Sequence, residues 1–333
     1  MNFHLRPDLT PRLKMQHNNT EIKIEYSKLS TKEANNVILS ASRRTDIIAF
    51  YLDWFFNRLK EGYVLVRNPM NYHQVSKIYL NPTDIDCIVF WTKDPTNILG
   101  RLDMLKDYFY YFHVTITGYG RNVEPNVPPK EKVIRSFQEL SRKVGNERVI
   151  WRYDPIILSR EIDVEFHRKK FGYIATCLAG YTRRCTISFV DMYKKTERNT
   201  RGLNMYEISH AQMLDIAGVI AEIASKYGIE VQSCCEEVEL SHLGINHGKC
   251  IDDELISRIS GRKINAKKDK NQRIACGCVE SVDIGVYNTC RHGCLYCYAN
   301  YSSKAVYTNV KLHDPFSPML VGNVTPEDVI IER

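Results

Sequence analysis

The sequence holds no run of about 18 apolar residues, so no membrane-spanning helix and no membrane partner are expected. Its opening stretch, MNFHLRPDLTPRLKMQHNNT, lacks the apolar core of a secretory signal, so a reducing, cytoplasmic location is expected. Internal repeats and low-complexity tracts are missing, which argues against solenoids and arrays. A Gly-rich phosphate loop after the first strand-like segment is also missing, which counts against a doubly wound nucleotide-binding sheet. Excess charge is small. The 46 Lys and Arg exceed the 39 Asp and Glu to give +7, a balance that permits a nucleic-acid partner without requiring one.

What remains is a globular composition: 333 residues, 44% hydrophobic, 26% charged and 11% aromatic. Such a chain buries a core without disulfide staples and makes one large barrel or two ordinary domains. The eleven cysteines are an odd number in a chain without an export signal, so metal binding or catalysis fits them better than disulfides. Cys87, Cys177 and Cys185 stand singly among apolar residues and read as small core hydrophobes. The other eight all follow residue 233.

Along the body, apolar β-rich runs alternate with helical spacing. VILSAS (37–42), YVLVR (63–67), DCIVFWT (86–92), YFYYFHVTITG (108–118), RVIWRYDPII (148–157), CTISFVDMY (185–193) and IEVQSC (229–234) read as strands. Helices are expected over 49–60, around Ile98, Leu102 and Leu105, and over 130–144, 166–179 and 209–227. Strands apolar on both faces and separated by helices call for a parallel sheet, and the economical closure is a complete or partial (β/α) TIM-like barrel. Chemistry in such a fold sits at the C-terminal strand ends. Those ends carry Ser42-Arg43-Arg44-Thr45-Asp46, Thr92-Lys93-Asp94, Thr115-Ile116-Thr117, Arg152-Tyr153-Asp154 and Asp191. Together they predict a polar cavity, although Asp46 and Asp94 also suit helix N-caps.

The most specific feature is TCRHGCLYCYAN, with Cys290, Cys294 and Cys297 spaced C-x3-C-x2-C. Three close thiolates suit an iron–sulfur cluster with one open iron, whereas structural zinc normally takes four ligands. His292 is a conceivable fourth ligand but would make a cramped chelate. Gly293 lets the loop turn tightly. A second group, Cys234-Cys235, Cys250 and Cys276-Gly277-Cys278, supplies up to five thiols. Four of them, Cys235, Cys250, Cys276 and Cys278, are the candidate ligands of a second iron–sulfur cluster or a zinc ion; the alternative is simple thiols. Arg258 to Arg273 is basic enough to follow a phosphate backbone, or to be a solvated loop.

The pattern C-x3-C-x-aromatic-C resembles the signature of radical S-adenosylmethionine enzymes, and the flanking Tyr287-Asn288 and Tyr298-Ala299 are similar to members related to spore photoproduct lyase. The strand ending at Ser42–Asp46, then Thr92-Lys93, Thr115–Thr117, Glu124-Pro125 with Pro128-Pro129, and Arg152–Pro155 resemble that superfamily's later strands in succession. Here the cysteine motif comes last, as a circular permutation would place it, with SVDIGVY (281–287) lying beside the strand at 37–42. Over roughly 36–322 the chain resembles the bacterial DUF1848 family, which carries such a cysteine cluster near its C-terminus. The resemblance implies a [4Fe–4S] cluster on the three cysteines and bound S-adenosylmethionine. It also implies a one-electron donor such as flavodoxin or ferredoxin, and a 5′-deoxyadenosyl radical acting on a substrate. It places Ser42, Arg43 and Arg44 at the methionine end, Thr115 and Thr117 at the ribose, Arg152 and Asp154 at ribose, adenine or substrate, and Tyr296 near the adenine.

The expected organisation is an extension (1–30), a barrel body (31–235), a cysteine-bearing basic insertion (236–280), a last strand with the cluster loop (281–300) and a tail (301–333). Two other functions compete. One is a nucleic-acid-binding protein with a structural zinc or iron–sulfur site. The other is a metal-independent barrel enzyme using Arg43, Arg44, Asp46 and Asp154.

Overall fold

The computed structural model describes residues 36–191 and 194–333, so the extension expected over 1–30 lies outside the described residues. The apolar runs form strands β1 (Val37–Ala41), β2 (Tyr63–Arg67), β3 (Gln74–Tyr79), β4 (Ile85–Thr92), β5 (Tyr110–Thr115), β6 (Val149–Ile156), β7 (Arg184–Phe189), β8 (Glu230–Ser233), β9 (Asn246–His247), β10 (Val282–Asp283) and β11 (Val329–Glu332). The helices are α1 (Ile47–Phe50), α2 (Leu52–Glu61), α3 (Lys130–Val144), α4 (Val164–Leu178), α5 (Lys194–Thr200), α6 (His210–Lys226), α7 (Asp253–Ser260) and α8 (Ser303–Lys311).

Eight strands pair in the order β10-β1-β4-β5-β6-β7-β8-β9, every pair parallel. The C-terminal strand β10 lies against β1, with Leu39 opposite Val282 and Ser40 opposite Asp283. The fold is therefore mixed α/β around a large parallel sheet. Where a complete or partial barrel was expected, the sheet ends at β9 and β10, and no closed barrel forms among the described residues. YVLVR does form a strand, but outside this sheet: β2 joins β3 and β11 in a separate three-stranded sheet.

Alternation along the parallel strands sorts the two faces. Leu39, Ile88, Phe90, Phe112, Val114, Val149, Trp151 and Ile187 face the helices, with Trp151 stacked on Phe171 of α4 at 4.6 Å. Helix α3 buries Val133, Ile134, Phe137 and Leu140. At roughly 1.5–3 kcal/mol per buried side chain, that face far outweighs the marginal stability of an isolated 15-residue helix, so packing holds α3 in place. The opposite face carries Ile38, Cys87, Val89, Tyr111 and Ile150, and it is covered by Ile251, Leu255, Ile256, Ile264, Cys276 and Cys278. The segment read as a basic insertion thus contains α7 and seals one face of the sheet. Residues 301–333 are likewise built in. Helix α2 donates from Trp54 Nε1 to Ser317 O at 3.0 Å, and β11 pairs with β3. No helix among the described residues is long and apolar enough to cross a membrane.

Candidate functional site

Asp283 closes the junction between the first and last strands. Its carboxylate accepts hydrogen bonds from Ser40 Oγ (2.6 Å), Ser42 Oγ (2.7 Å), Arg43 N (2.8 Å) and Gly285 N (2.9 Å). The approach is so close that a Cβ on Gly285 would lie 2.0 Å from Ser42 Oγ, so only glycine fits.

Beyond Gly285 the cysteine loop is pinned nearly residue by residue. Tyr51 donates to Thr289 O (2.6 Å), Asn300 to Cys290 O (2.8 Å), Asn126 to Arg291 O (2.9 Å), and Leu295 N to Val123 O (3.0 Å). Gly293, expected to let the loop turn tightly, lies in the left-handed region at φ +70°. His292, the conceivable fourth ligand, has one ring nitrogen engaged within the protein. Its Nε2 pairs with Asp46 Oδ2 at 2.8 Å and its ring packs on Phe50 at 4.6 Å. Asp46 also accepts from Thr92 Oγ1 (3.0 Å) and Lys93 N (2.8 Å), and it caps α1 through Ala49 N (2.9 Å). One buried carboxylate thereby ties the β1 and β4 ends to the loop. Asp94 caps a short 3-10 turn through Thr96 N, so both suspected caps are caps.

Cys290, Cys294 and Cys297 are half-buried and lie within electrostatic range of one another. Burial pushes the Cys294 thiol up to about 12 and raises Cys290 well above the ordinary thiol range. Ionisation of Cys290 and Cys294 at neutral pH would have to be coupled to binding of a cation.

Beside Cys294 lies a charged basin that the sequence reading did not single out. Glu124, 1% exposed, accepts from Lys93 Nζ (2.9 Å) and Thr117 Oγ1 (2.9 Å) and is also bonded to Lys130 Nζ and Tyr296 OH. Burial alone would raise its pKa, but Lys93 and Lys130 outweigh that and hold it down at about 2. For Lys93, burial opposes the charge while Glu124 and Cys294 favour it, and the net shift is upward. Burial, aided by the like charge of Lys93, lowers Lys130.

The other candidate residues fall into two groups. Arg43 and Arg44 lie 4.0 Å from Asp283, over Trp91 and Tyr287 respectively, and remain 22% and 24% exposed. Thr115, half-buried, stands opposite Arg152 in the β5–β6 register. Ser42, Thr117 and Tyr296 have protein partners already: Ser42 holds Asp283, while Thr117 and Tyr296 hold Glu124. Arg152 is turned onto the second cysteine group, with Nη1 2.9 Å from Cys250 Sγ and Nε 3.0 Å from Asp154 Oδ2. Asp154 is also bonded by Ser188 Oγ.

The second cysteine group meets on the sealed face. Cys234 Sγ lies 3.1 Å from Cys250 Sγ, and Cys278 hydrogen-bonds both Cys250 and Cys276. Cys235, in the left-handed region at φ +61°, bonds Cys276 and Arg273 instead. Among the described residues, no group of three or more His, Cys, Asp or Glu side chains is already placed to hold a metal ion. Glu236 lies near this group. Burial is the main cause that pushes its carboxyl up to about 7, and Phe189 N bonds it at 2.9 Å.

Three of the seven basic residues of the stretch from Arg258 to Arg273 form ion pairs with neighbours. Arg258 pairs with Glu147 (2.9 Å), Arg262 with Asp86 (2.6 Å) and Arg273 with Asp191 (2.9 Å).

No curated protein matches the chain. Among solved structures, one similar chain is a protein proposed to be an alpha-L-fucosidase from Bacteroides thetaiotaomicron VPI-5482, at 11% identity, covering 72% of this chain and 98% of its own, with a TM-score of 0.28. That likeness is too slight to carry an argument. The model of a family described as a domain of unknown function, DUF1848, matches residues 38–299. The match spans most of the chain, and the chain belongs to the DUF1848 family.

Proposed function

We propose that this protein is a radical S-adenosylmethionine-type enzyme whose [4Fe–4S] cluster is held by Cys290, Cys294 and Cys297. The observation that carries this reading is three thiols on one rigidly pinned loop, set between the arginines of the β1 end and the lysine-rich basin around Glu124. The donor set fits such a cluster: sulfur ligands, three in number, leave one iron open. Among the described residues, three of the five buried polar side-chain atoms without a partner, Thr45 Oγ1, His292 Nδ1 and Asn300 Oδ1, lie on or beside this loop. An unmade bond at a buried polar atom costs about 1–3 kcal/mol, so a bound group that supplied partners would be stabilised there. We read the open eight-stranded sheet as an incomplete (β/α) barrel of radical S-adenosylmethionine type in permuted order, its cysteine loop following the last strand.

When bound, a cluster of this kind supplies the electron that cleaves a C–S bond of S-adenosylmethionine and so yields a 5′-deoxyadenosyl radical. The chain's own residues would position and shield. Arg44 and Arg43 can present guanidinium forks to the methionine carboxylate, since both retain exposed surface near the loop. Lys93 and Lys130 outnumber Glu124 and leave a net positive charge beside Cys294, which favours an anionic thiolate-bound centre. Asp46 and His292 fix the loop. Thr115, beside Arg152, is the remaining candidate for a ribose hydroxyl, and Tyr296, fixed by Glu124, would form an apolar wall with Tyr119 rather than a mobile stacking ring. A flavodoxin or ferredoxin would deliver the electron in the cytoplasm. The ion pairing of Arg258, Arg262 and Arg273 leaves the four lysines of that stretch to carry the nucleic-acid-binding alternative.

The test is anaerobic reconstitution with iron and sulfide, reduction by dithionite, and assay of methionine and 5′-deoxyadenosine formed from S-adenosylmethionine. Both products from the wild type, and neither from Cys294→Ala, are expected. A wild-type protein that takes up a cluster yet yields neither product would overturn the reading.

A further inference from the structure

We infer a second metal centre, a single soft divalent ion such as Zn2+ held by the four thiolates of Cys234, Cys250, Cys276 and Cys278. It is independent of the cluster proposed on the loop at 290–297.

The four sulfurs form a continuous contact, Cys234 to Cys250 at 3.1 Å, Cys250 to Cys278, and Cys278 to Cys276. They come from three separate parts of the chain: the end of β8, the turn before α7, and the segment leading into β10. Local sequence proximity therefore explains only the pair Cys276 and Cys278. What the sulfurs receive is more informative than their mutual contact. Arg152 Nη1 points at Cys250 Sγ from 2.9 Å, and the backbone N–H groups of Cys250 and Ile251 point at Cys278 Sγ from 3.3 and 3.4 Å. Arg43 lies within electrostatic range of both Cys250 and Cys278.

Neutral thiols are weak acceptors. A guanidinium group and two amides converging on buried sulfurs are what a negatively charged thiolate centre needs. Arg152 is 6% exposed with one carboxylate partner, Asp154, so its other arm is satisfied best by an anion at Cys250. Four thiolates around one divalent ion carry two net negative charges, which Arg152 and the backbone amides of Cys250 and Ile251 would partly offset.

Size favours one ion. A tetrahedral Zn2+ with Zn–S near 2.3 Å sets sulfurs about 3.8 Å apart. Cys234 and Cys250, at 3.1 Å, would need to part by less than an ångström. A four-iron cube would need to force them much further. The ligand set differs from the one expected from sequence in a single place. Cys235 has a left-handed backbone and meets Arg273 and the terminal Cys276 at the edge of the group, while its neighbour Cys234 faces the central Cys250. Cys276 borders a cavity of about 440 Å3 shared with Glu236, His247 and Lys268, which gives an ion a way in.

The experiment uses the full chain carrying Cys290→Ala, Cys294→Ala and Cys297→Ala, so that failure of the loop cluster cannot affect the result. Co2+ is the probe, added anaerobically and followed by the intense visible absorption of a tetrahedral thiolate site, then displaced by Zn2+. One Co2+ per chain is expected. Cys250→Ala or Cys276→Ala in this background should abolish it, Cys234→Ala should abolish it, and Cys235→Ala should leave it unchanged. Circular dichroism checks that each variant is folded; Cys276→Ala, at the end of the row, serves if Cys250→Ala is not. Absence of a tetrahedral thiolate signal would overturn the centre. Loss with Cys235→Ala but not Cys234→Ala would overturn the ligand set. Iron and sulfide in equal amounts at this site after reconstitution would overturn the single ion.

Discussion

The two cysteine regions both border the eight-stranded parallel sheet, but they are built differently. On the loop at 290–297, three thiols sit on one short segment whose backbone is tied down by Tyr51, Asn126, Asn300 and the Asp46–His292 pair. Rigidity there comes from around the sulfurs, and three donors leave a coordination position free. On the sealed face, three distant segments bring four thiols into contact, and donors from Arg152 and the α7 turn aim at the sulfurs themselves. Four donors close a coordination shell. On the two proposals above, the contrast is that between a site that would admit a substrate and one that would hold the fold together. Each prediction below breaks or sharpens it.

The largest effect is expected from removing a sulfur. Cys294→Ala should abolish the loop cluster and all S-adenosylmethionine cleavage while leaving the thermal midpoint nearly unchanged. Cys250→Ala should lower the midpoint sharply. Reconstituted variants compared by iron content and by thermal unfolding would check this pair, and equal effects on both readouts would erase the distinction.

Next comes the hub of the loop. Asp46→Ala strips a buried acceptor from Thr92, Lys93 N, Ala49 N and His292, a loss of roughly 4 kcal/mol by denaturant titration. It should weaken iron uptake by the loop and spare Co2+ binding by the second group. Gly285→Ala is expected to cost somewhat less, roughly 3 kcal/mol. Its Cβ collides with Ser42, which cannot retreat because Asp283 and Arg44 N hold its hydroxyl. Calorimetry on the two variants would rank them.

The smallest effect is a pH slope away from both groups of sulfurs. Burial lowers His167 from its ordinary 6.5 to about 4, with Tyr153 OH on Nδ1 (2.8 Å) and Ile157 O accepting from Nε2 (2.9 Å). A depressed histidine binds its proton more readily in the unfolded chain. Its contribution is therefore present above pH 6.5 and is lost as pH falls toward 4. Between pH 7 and pH 5 that amounts to roughly 2 kcal/mol. Urea titrations should show a correspondingly shallower decline in His167→Asn.

Much of the sheet was readable because its strands are apolar on both faces, and α3 runs from Lys130 to Val144 as its spacing predicts. The helix expected around Ile98, Leu102 and Leu105 is instead two 3-10 turns, Pro95–Ile98 and Leu102–Leu105, separated at Leu99–Arg101, where Gly100 breaks helical continuity. Strand β3, QVSKIY, was missed because its polar residues dilute the apolar signal, and with it went the small second sheet. Periodicity also cannot say what covers a face, so the packing of α7 and the cysteines onto Ile38, Val89 and Ile150 was invisible.

In the site, thiol spacing was legible because it is local. The hubs were not. Asp46 meets His292 across 246 positions and Asp283 meets Ser42 across 241, and no local pattern encodes such a meeting. Asp283 did leave one trace, a carboxylate inside the otherwise apolar SVDIGVY. Glu124 left none beyond its neighbouring prolines. The choice between Cys234 and Cys235 turned on one left-handed φ angle.

The most direct test of the central claim is the electron paramagnetic resonance spectrum of the reduced, anaerobically reconstituted protein with and without S-adenosylmethionine, recorded on the wild type and on Cys234→Ala. The account predicts a [4Fe–4S]+ signal that shifts on adding S-adenosylmethionine, in both proteins, because the open site belongs to Cys290, Cys294 and Cys297. A signal indifferent to S-adenosylmethionine, or a response that vanishes with Cys234, would contradict it.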